Sequence, residues 1–305
     1  MTVGLARDGT GSARLAVIGD VSGHLLPLVE QLIVLGVDVD TAVIPDGLII
    51  CQVGDLVHKG PDSDDIVALV DRLMTVNPGQ WVQLIGNHEA EYIPGGTRFW
   101  SQNLRLETVH TLQQWWAGGQ MSVAGAFEIA AGPDRTGAVD DCPPGDLLIT
   151  HAGLTAGAWR LLGQPCTARQ AAEVLNLAQA PVVWREGTMI TGIDDLAAGP
   201  LWAAADSEVI ASWSVLDEHL SGTGLPTFAQ AHGHAAPVRW PAGTTWSPPI
   251  DILIARGVAT ALADPRRRIT RVQVGPRVFF GTDPAAGRSP ITVSVPLVLP
   301  LVAAP

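Results

Sequence analysis

The sequence predicts a layered α/β protein, and three observations carry that expectation. Short apolar runs alternate with segments of helical period; the runs at 15–19, 48–53 and 81–85 end abruptly in Gly followed by Asp or Asn; polar residues collect just past those ends. Sheets flanked by helices build their sites at such strand ends. In order, residues 15–19 form the first strand, and Leu25, Leu28, Leu32 and Leu35 recur at helical spacing behind it. The run 48–53 is the second strand. Ile66, Leu69, Val70 and Leu73 mark a second helix, with Asp62 or Ser63 as its N-cap. The run 81–85 is the third strand. Residues 98–118 read as a helix anchored by buried Phe99, Leu104, Leu106, Trp115 and Trp116. Residues 147–150 form a fourth strand entering His151-Ala152-Gly153. Residues 155–220 read as short helices forming a mostly helical cap beside the site. Residues 227–231 lead into His232-Gly233-His234, and 250–256, 258–262 and 269–274 read as strands, with a turn at Asp264-Pro265. The expected layout is one domain over 1–281, followed by an apolar, Pro-rich tail over 282–305, either an edge strand or an oligomer arm.

Composition narrows the function. The chain has 305 residues, 47% of them hydrophobic and ten of them tryptophan, which supports a sizeable core and excludes a disordered chain or a disulfide-stapled miniprotein. Its net charge of −12 excludes a general nucleic-acid binder or an anionic-membrane binder, both of which need a basic face. The three cysteines, Cys51, Cys142 and Cys166, have no paired spacing, so neither a disulfide framework nor a cysteine zinc site is expected. No secretory signal layout is legible at the N-terminus, and the apolar stretch 291–305 is broken by Pro296, Pro300 and Pro305. A soluble cytoplasmic protein is the expectation, and the positive mean hydropathy of +0.25 leaves room for a homo-oligomer. Lys59 is the only lysine among eighteen basic residues.

The chemistry lies in five loops. Four supply Asp20, Asp55, Asn87 with His88, and His151; a fifth supplies His232 and His234. Carboxylate, amide oxygen and imidazole together suit Mn, Fe or Zn rather than copper or an iron–sulfur centre. A carboxylate such as Asp55 has two oxygens with which to bridge two ions, and a pair of ions activates water and neutralises phosphoryl charge.

The succession GDVSGH (19–24), GDLVHKG (54–60), GNHE (86–89), HAG (151–153) and GHAAP (233–237), with GPLWA (199–203), resembles the calcineurin-like metallophosphoesterases. The likeness is greatest to the phosphoprotein-phosphatase branch and its bacterial relatives, including diadenosine-tetraphosphate hydrolases. It covers residues 15–240 and implies two packed mixed sheets flanked by helices. It implies two divalent ions, Mn first, with Fe, Zn, Ni or Mg as alternatives. Asp55 would bridge them, Asn87, His151 and His234 would complete the second site, and Asp20 would serve the first. His88 would protonate the leaving oxygen while a metal-bound hydroxide attacks phosphorus in line. The substrate would be a phosphorylated small molecule, nucleotide or protein.

Three departures from the family pattern stand out. Ser22 occupies a histidine position of the first motif, so the first ion loses an imidazole; either His24 or a water held by Ser22 replaces it. His58 and Lys59 stand where the second motif has aspartate and arginine. Asp62, Asp64 and Glu89 are the candidates to orient His88 in place of the missing aspartate, with His58 in a supporting role. Lys59 keeps the charge expected to hold a phosphate oxygen but lacks the planar guanidinium fork. His232 competes with His234 for one ligand role; the flanking Gly233 and Pro237 favour His234. Taken singly, each of these residues has a plainer reading as a turn, cap or core group; it is the ordered set of motifs that favours the ligand reading. Ser22 and His58 also motivate the competing expectation of a binding module without hydrolytic power. Arg98, Arg105, Arg160 and Arg185 are further candidates to touch phosphate, whereas Arg266–Arg268 reads as a solvated turn and His110 and His219 as helix-surface residues.

Overall fold

The computed structural model describes residues 13–131, 137–177, 181–220, 225–240, 245–284 and 295–302. In chain order the elements are β1 (Arg14–Ile18), α1 (Leu25–Val34), β2 (Leu48–Gln52), α2 (Ser63–Val76), β3 (Trp81–Leu84), α3 (Asn87–Ala90) and α4 (Leu106–Ala117). Then come β4 (Met121–Ser122), β5 (Ala124–Ile129), β6 (Gly145–Thr150), α5 (Ala156–Leu161), α6 (Ala168–Asn176), α7 (Thr188–Thr191) and α8 (Ala211–Leu220). The chain continues through β7 (Ala229–His232), β8 (Val238–Arg239), β9 (Thr245–Trp246), α9 (Pro248–Ala255), β10 (Ala259–Asp264), β11 (Ile269–Val274), β12 (Arg277–Gly281) and β13 (Leu297–Pro300).

Two mixed sheets face each other. One has the order β13-β1-β2-β3-β4, with β1 to β4 parallel and β13 antiparallel against β1. The other has the order β10-β11-β12-β7-β6-β5, with β6, β7 and β12 parallel at its centre. Strand alternation sorts the side chains: Leu15, Val17, Ile49 and Cys51 enter the layer between the sheets, where Leu147, Ile149, Ala231 and Phe280 meet them. Ala16, Ile18, Leu48 and Ile50 point the other way, beneath Leu28 and Leu32 of α1 and Ile66 and Val70 of α2. Both faces of β1 and β2 are therefore buried, which is why these strands read as unbroken apolar runs.

The structure corrects two elements. Residues 250–256 are helical, not a strand: Pro248 and Pro249 sit in the first turn, and Ile250 and Leu253, three apart, are the buried pair. Ile252 and Ile254 face outward, at 57% and 37% exposure, whereas a strand would have buried 250, 252 and 254 together. The helix expected over 98–118 begins only at Leu106, which is 72% exposed. Before it, Glu91 accepts from the backbone N–H groups of Phe99 and Trp100 at 3.1 and 2.6 Å and draws that segment over the site. Trp115 is buried as expected. β4, β5, β8, β9 and β12 are additions to the expected strands. β13 is an edge strand of the first sheet, so part of the chain beyond 281 is built into the sandwich. Between 155 and 220 the described residues form α5 to α8 with loops between them. Arg268 departs from the solvated turn: it is buried and its guanidinium lies over Trp240. His110 is exposed, and the side chain of His219 lies outside the described residues. Among the described residues, no helix is long and apolar enough to cross a membrane.

Candidate metal centre

The central strands of both sheets release their loops at one end. Asp20 follows β1, Asp55 follows β2, and Asn87 and His88 open α3 just after β3; His151 follows β6, and His234 lies two residues beyond β7. Making these loops converge needs unusual backbone. Of eight non-glycine residues with positive φ among the described residues, five are Ser22, Asp55, His58, Lys59 and His234. Such conformations cost of order 1–3 kcal/mol each and persist where the surroundings impose them. Two glycines allow the approach: a Cβ on Gly86 would lie 2.2 Å from the Asp55 nitrogen, and one on Gly233 would lie 2.1 Å from Asp20 Oδ1. Glu89 locks the second loop, because its fully buried carboxylate accepts from the N–H groups of Asp55, Leu56, Val57 and Gly86 at 2.7 to 3.2 Å.

Asp55, His151 and His234 bring ligating atoms within 4.8 Å of one another. His151 Nδ1 donates to the Val53 carbonyl at 3.0 Å, which leaves Nε2 as a bare lone pair. That lone pair faces Asn87 Oδ1 at 2.9 Å, His234 Nδ1 at 3.1 Å and Asp55 Oδ1 at 3.4 Å. Asn87 Oδ1 is also 3.0 Å from His234 Nδ1. Two imidazoles, an amide oxygen and a carboxylate thus converge with at most one proton among their facing atoms, and a cation satisfies such a donor set. Burial alone would raise the Asp55 carboxyl, but His88, His151, Lys59 and His234 together hold it well below the usual carboxylate range. Burial pushes both His151 and His234 down, so their rings are neutral and able to ligate.

His88 lies beside this group, its Nε2 3.7 Å from Asp55 Oδ2. Its other nitrogen, Nδ1, meets His58 Nδ1 at 2.7 Å, and His58 Nε2 meets the Tyr92 hydroxyl at 2.7 Å. The position where an orienting aspartate was missing is therefore filled by His58 itself. None of the three carboxylates considered as substitutes does this: Glu89 is spent on backbone N–H groups, Asp62 accepts from Leu25 N, and Asp64 accepts from Arg105 N and the Thr108 hydroxyl. Burial lowers His88 to about 4, with Asp55 opposing, and lowers His58 to about 4 with help from His88. Phe99 and Trp100 wall the His88 side, their rings 4.9 and 5.0 Å from that of His88.

Other residues singled out in the sequence fall as follows. Asp20 Oδ1 accepts from the His234 N–H at 2.9 Å, while Oδ2 is buried without a hydrogen-bond partner. Burial, Asp283 and Asp55 raise its carboxyl well above the ordinary range. Lys59 Nζ is 3.6 Å from Asp55 Oδ2 and donates to Ser22 Oγ at 3.3 Å. His24 stands outside the Asp55 group, at the N-cap position of α1, and its buried Nε2 is unpartnered. His232 turns Nδ1 towards the Gly233 carbonyl at 3.1 Å, so His234 is the histidine of that pair that joins the group. Arg98, Arg105 and Arg185 bond Asn103, Asp64 and Asp195, and Arg160 is exposed. Two residues escaped the sequence reading. Asp283 is buried just past β12 and acts electrostatically on Asp20, Lys59 and His151. Its signal was available, since it follows the apolar run 278–280 much as Asp20 and Asp55 follow theirs. Tyr92, the chain's only tyrosine, carries no such signal.

Several solved structures are similar to this chain. A protein serine/threonine phosphatase from Saccharomyces cerevisiae is 13% identical, with 99% of this chain and 84% of that one covered and a TM-score of 0.46. The cold-active protein-tyrosine phosphatase of a Shewanella species is 13% identical, with 89% and 78% covered and a TM-score of 0.44. A candidate diadenosine tetraphosphatase is 16% identical, with 92% and 97% covered and a TM-score of 0.39. No curated protein matches the sequence. The family model described as calcineurin-like phosphoesterase matches residues 13–173, more than half of the chain and the stretch that holds Asp20, Asp55, Asn87, His88 and His151. With its motifs in order, its paired sheets and its polar cluster at their shared strand ends, this chain belongs to the calcineurin-like phosphoesterase family.

Proposed function

We propose that the protein is a metal-dependent phosphoesterase that hydrolyses a phosphorylated protein or nucleotide, with manganese the first metal to test. The observation that carries this is the convergence of lone pairs from Asp55, Asn87, His151 and His234 with at most one proton among them. These four residues would hold a divalent ion, which when bound supplies Lewis acidity and an activated water. The first ion position of the family keeps Asp20 and Asp55 but has Ser22 in place of its imidazole.

The chain's own residues do the rest. In the tautomer proposed here the Tyr92 hydroxyl, 3.4 Å from the Gln102 carbonyl, donates instead to His58 Nε2 at 2.7 Å, His58 Nδ1–H donates to His88 Nδ1, and the His88 proton resides on Nε2, on the side of Asp55. With its pKa near 4, His88 is neutral at pH 7 and offers that N–H to the leaving oxygen as a neutral imidazole donor. Lys59 places a positive charge beside Asp55, within reach of a phosphoryl oxygen. Phe99 and Trp100 exclude water from the face of His88.

The test is hydrolysis of an aryl phosphate by metal-stripped protein to which Mn, Mg, Zn, Fe or Ni is returned singly, with His88→Ala alongside. Activity that returns with a metal and falls at least 100-fold in the variant is expected. Bound metal with no turnover of aryl phosphate, phosphopeptide or nucleotide would instead support the binding-module reading.

A further inference from the structure

The side of the cluster around Lys59 is rich in carboxylate and poor in imidazole. Asp20, Asp55 and Asp283 are all buried, at 4%, 1% and 8% exposure, and all three act on Lys59. The ammonium lies 3.6 Å from Asp55 and 3.3 Å from the Ser22 hydroxyl. The backbone there is shaped around that placement. Ser22, His58 and Lys59 have φ of 51°, 70° and 65°, and Gly60 N–H bonds the Ser22 and His58 carbonyls at 2.9 and 2.8 Å, tying the two loops together. Three non-glycine residues in the left-handed region on facing loops are a costly way to aim one side chain inward.

Ligand supply decides what else fits. Asp55, Asn87, His151 and His234 make a complete set on one side. On the other, Asp20 Oδ1 accepts from the His234 N–H and Oδ2 is left over, while Asp55 Oδ2 and Ser22 Oγ already face the Lys59 ammonium.

We propose that Lys59 stands in for one cation of the centre, which binds a single divalent ion at Asp55, Asn87, His151 and His234, with the ammonium fixed beside it against Asp55 and Ser22. This rests on the metal-dependent reading above and makes the positive pole on the Asp20 side a covalent part of the chain. A fixed ammonium offers a phosphoryl oxygen its charge and the N–H not turned to Asp55 or Ser22, but no water of lowered pKa, so water activation falls to the one ion.

Metal content tests this apart from activity. Metal-stripped full-length protein is reloaded with excess Mn, freed of loose ions on a chelating resin, and read by elemental analysis and electron paramagnetic resonance. The wild type should hold one Mn per chain with an uncoupled six-line signal. Lys59→Met combined with Ser22→His removes the ammonium and returns an imidazole, and should raise the content to two with an exchange-coupled spectrum, while Lys59→Arg, checked for fold by circular dichroism, should stay at one. Two coupled ions in the wild type would overturn the inference and leave the metal-dependent reading standing. So would a folded double variant that still holds one. No ion retained from Mn, Mg, Zn, Fe or Ni would overturn both.

Discussion

Replacing His58 with aspartate should change the titration of His88 more than any other single substitution. The His58 and His88 rings are 5.0 Å apart between centroids, joined at 2.7 Å through their Nδ1 atoms. A neutral imidazole there gives nothing to an imidazolium at 88, and burial holds His88 at about 4. A carboxylate at the same place adds a unit negative charge. At about 5 Å and an effective dielectric of about 20, it is worth roughly 3 kcal/mol, a little over 2 pKa units. His88 in His58→Asp should therefore titrate near about 6, and its protonated fraction at pH 7 should rise from about 0.1% to about 10%. The assay is the pH dependence of the His88 ring Hε1 and Cε1 resonances in metal-free protein, assigned against His88→Ala. A titration that stays within half a unit of about 4 would mean that residue 58 does not pair with His88, and the relay from Tyr92 would fall with it.

Four further outcomes follow. Burial holds His232 at about 4, against 6.5 when exposed, so the unfolded chain binds more protons between those values. Stability is full above about pH 6.5 and declines by about 3 kcal/mol as pH falls towards 4, which urea midpoints at pH 7.5 and 4.5 should report and His232→Gln should reduce. Glu89→Gln puts an amide NH2 among N–H donors that now share four contacts with one carboxylate, and should cost about 2–4 kcal/mol in urea unfolding and weaken metal retention. Leu299→Ala, at a site 1% exposed in β13, should cost about 2–5 kcal/mol without changing metal content. Tyr92→Phe removes the donor to His58 and should lower kcat roughly 10-fold with KM unchanged, as expected of an acid that is misdirected rather than lost.

Much of this protein was legible in the chain because its architecture is written in local periods. Strands buried on both faces appear as apolar runs, the helices between them repeat every three or four residues, and a Gly-Asp or Gly-Asn at each run's end marks where backbone must turn sharply beside a polar group. Residues 250–256 misled because a short apolar run has no readable period, and only the two prolines ahead of it favoured a helix. The extended segment at 98–105 was hidden because Glu91, some eight residues earlier in the chain, holds it by its side chain.

The sequence by itself determined the ligand types and their order, since each comes from a loop whose identity depends on its neighbours alone. Which atoms meet was decided by tertiary structure. His58 reaches His88 from thirty residues away, Tyr92 braces it, and Asp283 arrives at the site from the far end of the chain. The physical reason lies in distance and charge: a hydrogen bond or an ion pair acts over a few ångströms, and separation along the chain says nothing about that distance until the sheets bring their strand ends together.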